Sequence, residues 1–488
     1  MTLVGQVVSV QPLLGVTGRA NWAYGVYGAV AAAVALVATY CLARRFVPTG
    51  RALFAGALVA IAPGFLAGGP TFMTDIPALA ATTACLAIGV AALDRAGRAY
   101  WVWLSAALAV GVFGFSIRQF AVAAPVAVLI AAFARFPRKW LPTLALAALL
   151  AAACIGVMVW YWNLAGIHQA DHFPNPLSSG VMTALRLAAS VGIAVLPAAI
   201  WALARPGERV ARALAVGFAA IVLVYVVAVR FPREVFAGSV LTRWGVSGSS
   251  FLAGTRPTLF PPAVWTAMGV AAIAGVTCVV ALAAARAFAA LRSGSSPASS
   301  AWLASPEGVL GAFLVLGGGG LFVVTALGSS AYDRYTWPLV GPLAILLFMR
   351  PAPAAAGRFG GVGAVLAVAT MCALALVSLA LAVNADAYDA ARWRAGSSLR
   401  RMGVPVQQID AGFEWFGYHQ RGPVTIVAVP GSLTSYQNLY AATRVCALVS
   451  SSPMNGARFK PVGVTNYRLF GRFGPTEHLY RYVTCSAA

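Results

Sequence analysis

Charge is what this chain has least of. Of its 488 residues only 9% are charged, where ordinary soluble domains carry roughly 25%. The shortage falls on the acids, 12 Asp and Glu against 34 Lys and Arg, and lysine itself occurs only at Lys139 and Lys460. With 60% of the residues hydrophobic, a soluble globular domain is excluded and a polytopic membrane protein is indicated. In a soluble protein the formal net charge of +22 would suggest nucleic acid as partner. Here many arginines stand in short loops between apolar runs, where they set topology and meet anionic lipid headgroups, so no nucleic-acid partner is expected. The arginine- and alanine-rich composition hints at a GC-rich bacterial genome, which makes the inner (plasma) membrane the expected location.

A membrane span needs about 20 mostly apolar residues. Such runs occur near 24–43, 52–68, 76–93, 100–117, 120–134, 140–162, 182–204, 213–229, 263–285, 309–327, 336–349 and 359–383. The expected fold is therefore α-helical and multi-pass, with about 12 spans, the fifth and eleventh being short.

The alternate connections "RRFVPTGR", "DRAGR", "RFPRK", "RPGERVAR", "RAFAALRSGSSPASSAWLASPEG" and "RPAPAAAGR" are basic, which by the positive-inside rule makes them cytoplasmic. The other connections face outward, as does everything after Asn384. Three regions follow: an outer-loop remnant at 1–23, a transmembrane domain at 24–383, and a small external α/β domain at 384–488. In the last, "AYDAARWRAGSSLRRMG" reads as helix, while "FKPVGVTNYRLFG" and "EHLYRYVTC" alternate as strands do.

Residues 1–23 lack three further things. They have no positive n-region and no clean apolar core, so they are not a signal peptide, and they contain no Asp or Glu. An exported start without a signal is awkward, and the simpler expectation is that an upstream helix and part of the first outer loop are missing from the chain. Of seven cysteines, Cys41, Cys85, Cys154, Cys278 and Cys372 fall in spans as small packing residues. Cys446 and Cys485 fall in the external domain, where an oxidising compartment permits a disulfide.

What polar chemistry there is gathers on the outward side. Polar groups within or beside spans are expensive and by default mark function. Asp75 stands at the mouth of the third span, Arg118 and Gln119 between the fourth and fifth, and Asp333, Arg334 and Tyr335 before the eleventh. Each has a plainer reading. Asp75 or Thr74 suits a helix N-cap ahead of Pro77; Arg118 and Gln119 fill a tight turn; Asp333 and Arg334 pair at a helix end. His168, Asp171 and His172 carry metal-ligand chemistry, but Pro174 and Pro176 make that segment an ordinary polar loop first. Taken together, a carboxylate, two arginines and a tyrosine on one surface suit an anionic headgroup and acid-base work.

The ordered motifs "PTFMTDIPALA", "WLSAALAVGVFGFSIRQFAVAAPVAVLIA" and "YDRYTWPLVGPLAIL" resemble membrane glycosyltransferases of the GT-C superfamily. The kinship is to family 39, relatives of the protein mannosyltransferases and aminoarabinose transferases, over most of residues 20–350. The resemblance implies a polyprenyl-phosphate-linked sugar donor and inverting transfer at the outer face to a glycan, lipid or protein acceptor. It implies Asp75 as the catalytic acidic residue, Arg118 and Arg334 on the donor phosphate, and Gln119, Asp333 and Tyr335 at the pocket. No cofactor is implied firmly; a divalent cation held by Asp75 and phosphate oxygens is compatible. The family's first-loop aspartate has no counterpart in residues 1–23, which leaves catalytic competence tied to the true start.

Two rival functions stand beside this. A secondary transporter would show internal repeats and broken helices; no repeat is visible, and "LVLGGGGLFVV", Leu314 to Val324, is the closest candidate for a break. A catalytically inactive scaffold or lipid-sugar binder is the other. "DAGFEWFGYHQRG", with Glu414, Trp415 and His419, either packs the external domain onto the membrane part or offers an acceptor platform.

Overall fold

The computed structural model describes residues 4–17, 21–163, 177–205, 208, 210–218, 235–246, 252–292, 300–328, 331–349, 358–419, 445–456 and 458–484. They belong to two compact units, one of 1–161, 174–237 and 266–378, the other of 162–173, 238–265 and 379–488.

Among the described residues eight helices are long and apolar enough to cross a membrane: Trp22–Ala43, Asp75–Leu93, Gly97–Ile117, Pro137–Tyr161, Gly180–Leu203, Pro262–Ala289, Pro306–Ala326 and Gly361–Arg401. Each answers one of the runs read from the sequence. Three more runs are met by shorter helices, Thr49–Ala60 and Trp337–Phe348 of 12 residues and Ala123–Arg135 of 13. The run at 213–229 lies largely outside the described residues.

The expected span at 52–68 is broken, and its sequence says why. Pro63 has no N–H to continue a helix, and Gly64 takes the left-handed conformation at φ 81° before a single turn, Phe65–Gly68. Backbone carbonyls freed inside a membrane need partners. Ser378 Oγ donates to the Ile61 carbonyl, and the Trp337 indole donates to that of Pro63 at 3.3 Å.

The Trp337–Phe348 helix ends against arginines. Arg51 donates to the Phe348 carbonyl at 3.2 Å and Arg205 to that of Leu347 at 2.9 Å, meeting the negative end of the helix dipole. Other basic connections also meet partners, Arg45 pairing with Asp94 at 3.1 Å and Lys139 lying over the rings of Tyr100, Trp101 and Phe136. Asp94 closes the far end of the helix that Asp75 opens, about 28 Å away at the usual helical rise.

On the Trp140–Asn163 helix, Thr143 and Leu150 alone are buried among the described side chains. Its exposed Trp140 and Trp160 stand about 30 Å apart along the axis, matching a hydrocarbon layer with aromatic rings at both boundaries. Helices elsewhere close through glycine: Gly275 meets the backbone of Gly192 with no room for a Cβ. The glycine run leaves the Pro306–Ala326 helix unbroken. Gly317 and Gly318 approach Leu339, whereas Gly319 and Gly320 face open space, so close packing accounts for the first pair only.

Residues 1–23, expected as loop, contain a helix, Val4–Thr17, with Pro12 inside it. Val10 and Leu14 pack with Ala23, and Ser9 and Tyr27 share a hydrogen bond of 2.6 Å.

The second unit centres on a four-stranded sheet of order β1-β2-β4-β3, with β1 Ile409–Asp410, β2 Ala447–Ser450, β3 Lys460–Arg468 and β4 Thr476–Val483. β1 runs parallel to β2, and the other pairings are antiparallel. The alternating segments in the sequence are β3 and β4. Residues 252–255 lie along the edge of this unit's β2, where Ser451 N donates to the Ala253 carbonyl at 2.8 Å. Buried Arg256 stacks 3.8 Å over the Tyr388 ring. The unit therefore takes in a segment, 238–265, far upstream of the boundary at 384 expected from the sequence. Cys446 is disulfide-bonded, and Cys485 lies outside the described residues.

Candidate functional site

Three separate helix ends bring the site together. Asp75 is the first residue of the Asp75–Leu93 helix, and no side chain caps that terminus. The capping role expected of Asp75 or Thr74 is thus not formed. Asp75 turns its carboxylate aside while keeping a negative charge in the first turn, where the helix dipole favours it.

Arg118 follows the Gly97–Ile117 helix in extended conformation, which swings its side chain back toward Asp75. Its Nε lies 3.2 Å from Asp75 Oδ1, and its Nη2 donates to Oδ2 at 3.2 Å. Arg334 sits in the turn Asp333–Thr336 that leads into the Trp337–Phe348 helix, with Nε 3.1 Å from the same Oδ2. The Asp75 side chain is 1% exposed, Arg118 9% and Arg334 18%.

Tyr335 completes the group. Arg118 Nη1 donates to its hydroxyl at 3.4 Å, and both guanidiniums stand near its ring, at 5.1 Å for Arg118 and 5.8 Å for Arg334. Burial pushes the Tyr335 phenol above its ordinary value, against the pull of Arg118, so the hydroxyl stays protonated and able to donate. Two aromatics that sequence reading missed also line this corner. Tyr332 meets Tyr335 at 5.6 Å and lies 5.0 Å from Arg334, and Phe120 meets Tyr335 at 5.8 Å.

The remaining expected residues are placed as follows. Asp333 is buried; its Oδ1 accepts from the Arg334 backbone N–H at 2.9 Å, and its carbonyl accepts from Thr336 Oγ1 at 2.6 Å, which fixes the turn that presents Arg334. Gln119 is exposed and reaches Met158 Sδ at 3.5 Å. His168, Asp171 and His172 lie outside the described residues.

Among the described residues no three His, Cys, Asp or Glu are grouped to hold a metal ion. A divalent ion on Asp75 does not fit the donor set, because guanidinium nitrogens stand within 3.2 Å of both its oxygens. In the second unit, Trp415 is buried, donates to the Val406 carbonyl and packs on Trp393 at 5.2 Å, so its ring is held within that unit.

An apolar cavity of about 220 Å³ opens among the helices that carry Leu187, Val276 and Phe322, with Thr336 and Leu339 also in its wall. Thr336, in the wall of this largely apolar cavity, follows Arg334 and Tyr335 directly in the chain.

No curated protein matches the chain. Among solved structures, ArnT from Cupriavidus metallidurans bound to undecaprenyl phosphate is similar to it, at 13% identity over 99% of this chain and 87% of that one, with a TM-score of 0.48. The family model described as dolichyl-phosphate-mannose-protein mannosyltransferase matches residues 11–162. That match takes in Asp75 and Arg118 and supports, for this region, a glycosyltransferase of the GT-C superfamily.

Proposed function

We propose that the chain moves a sugar from a polyprenyl-phosphate-linked donor to an acceptor at the outer face of the membrane. The observation that carries the reading is the convergence of Arg118 and Arg334 on one buried carboxylate beside Tyr335. Arginine forks donate paired, charge-assisted hydrogen bonds and suit a phosphate. The cavity walled by Thr336, Leu339 and the helices around them offers an isoprenoid tail an apolar seat next to its headgroup.

In the transfer, the acceptor's hydroxyl oxygen bonds to the anomeric carbon while the bond from that carbon to the phosphate oxygen breaks. The electron pair stays on the leaving phosphate, and the hydroxyl's proton passes to solvent or to the released phosphate monoester, which balances the step. Arg118, Arg334 and the Tyr335 hydroxyl are placed to take up the charge that grows on that phosphate.

The test is a reaction of the purified chain in proteoliposomes with polyprenyl-phosphate sugars, following the appearance of polyprenyl monophosphate. Its appearance with a sugar-bearing acceptor supports transfer. Donor bound but unconsumed supports an inactive lipid-sugar binder instead, and solute flux without consumption supports a transporter.

A further inference from the structure

We infer that Asp75 is a positioning residue, holding Arg118 and Arg334 as a single phosphate-binding pair, and is not the group that takes the acceptor's proton. The inference rests on the donor-phosphate reading above and assigns the carboxylate within it.

A guanidinium has five N–H donors in a fixed fork. Arg118 turns one edge, Nε and Nη2, toward the two oxygens of Asp75. Its Nη1 points to the Tyr335 hydroxyl, so the opposite edge, Nη1 with the second Nη2 proton, is directed away from Asp75. Arg334 sets its Nε on the same Oδ2. One carboxylate thereby fixes the rotation of two arginines that come from distant parts of the sequence.

The same geometry speaks against proton abstraction. A general base needs a lone pair within hydrogen-bond reach of the hydroxyl it serves. The Asp75 side chain is 1% exposed, with cationic nitrogens 3.1 to 3.2 Å from its oxygens. An acceptor hydroxyl reaches either oxygen only by displacing an arginine that the donor phosphate requires. Burial adds a further reason for the carboxylate: without a counter-charge, two guanidiniums would be left enclosed and uncompensated. Asparagine at this position would set N–H donors against N–H donors and splay the pair.

The experiment measures binding of a polyprenyl monophosphate to the purified full chain in detergent, for wild type, D75N, R118Q, R334Q and the double variant D75N/R118Q. Wild-type binding that R118Q and R334Q each weaken by about tenfold or more establishes the phosphate pair. Asp75 as a positioning residue then requires D75N to weaken binding to a similar degree, and D75N/R118Q to bind no worse than R118Q. D75N binding like wild type while R118Q does not would overturn the inference and leave the phosphate reading standing. R118Q and R334Q binding like wild type would overturn the phosphate reading itself. Where D75N fails to accumulate, D75E carries the test. Its carboxylate, one methylene further out, displaces the arginines and weakens binding several-fold, and unchanged binding contradicts the inference.

Discussion

Arg118 meets Asp75 along one edge of its guanidinium, Nε 3.2 Å from Oδ1 and Nη2 donating to Oδ2 at 3.2 Å. The pairing joins the end of one membrane helix to the start of another, and Arg334 joins a third element to the same carboxylate. Burial strengthens each attraction and makes the loss of any member costly.

Lysine at position 118 keeps the charge and loses the fork. R118K is expected to bind a polyprenyl monophosphate about tenfold more weakly than wild type, close to the loss in R118Q. Equilibrium binding in detergent checks this; R118K binding like wild type would mean that only charge matters there.

The indole of Trp337 holds the broken helix at Pro63 through its hydrogen bond of 3.3 Å. W337F leaves that buried carbonyl unmet, at a cost of about 1–3 kcal/mol. A lower thermal unfolding midpoint for the purified chain is the expected outcome, and an unchanged midpoint would show that the carbonyl finds another donor.

In the second unit, a Cβ on Gly396 would lie 2.8 Å from the Trp415 ring. G396A is expected to destabilise this unit by about 1–3 kcal/mol through overpacking, seen as faster proteolysis of the C-terminal region and altered tryptophan emission.

Cys446 is disulfide-bonded. C446S, or reduction of the wild type, is expected to destabilise the same unit by about 2–4 kcal/mol. A migration shift between reducing and non-reducing gels in wild type alone, with earlier unfolding of C446S, checks both parts.

Much of the site was legible in the sequence because charge is scarce here. In so apolar a chain Asp75, Arg118 and Arg334 stand out, and the basic connections at Arg45, Lys139 and Arg205 sort helix ends into two sets. The aromatic wall at Tyr332 and Phe120 was not legible, since aromatic residues are ordinary background in membrane helices. Pro63 and Gly64 lay inside a run apolar enough to read as one span, and hydropathy does not register a missing N–H. β3 and β4 show in alternation over 9 and 8 residues, whereas β1 and β2, of 2 and 4 residues, are too short to carry a period. The stacking of Arg256 on Tyr388 joins positions far apart in the chain, which no local pattern marks. Nor does spacing reveal that Arg118 and Arg334 both face Asp75; that needs the fold.

The most direct test of the account follows release of polyprenyl monophosphate from polyprenyl-phosphate mannose by the purified chain. It compares wild type with R118Q, R334Q and R45Q, the last at the opposite end of the Asp75 helix beside Asp94. The account predicts release by wild type and R45Q alike, and a fall of about a hundredfold or more in R118Q and R334Q, as expected when a group that stabilises transition-state charge is removed. Release by R118Q and R334Q at the wild-type rate would contradict it.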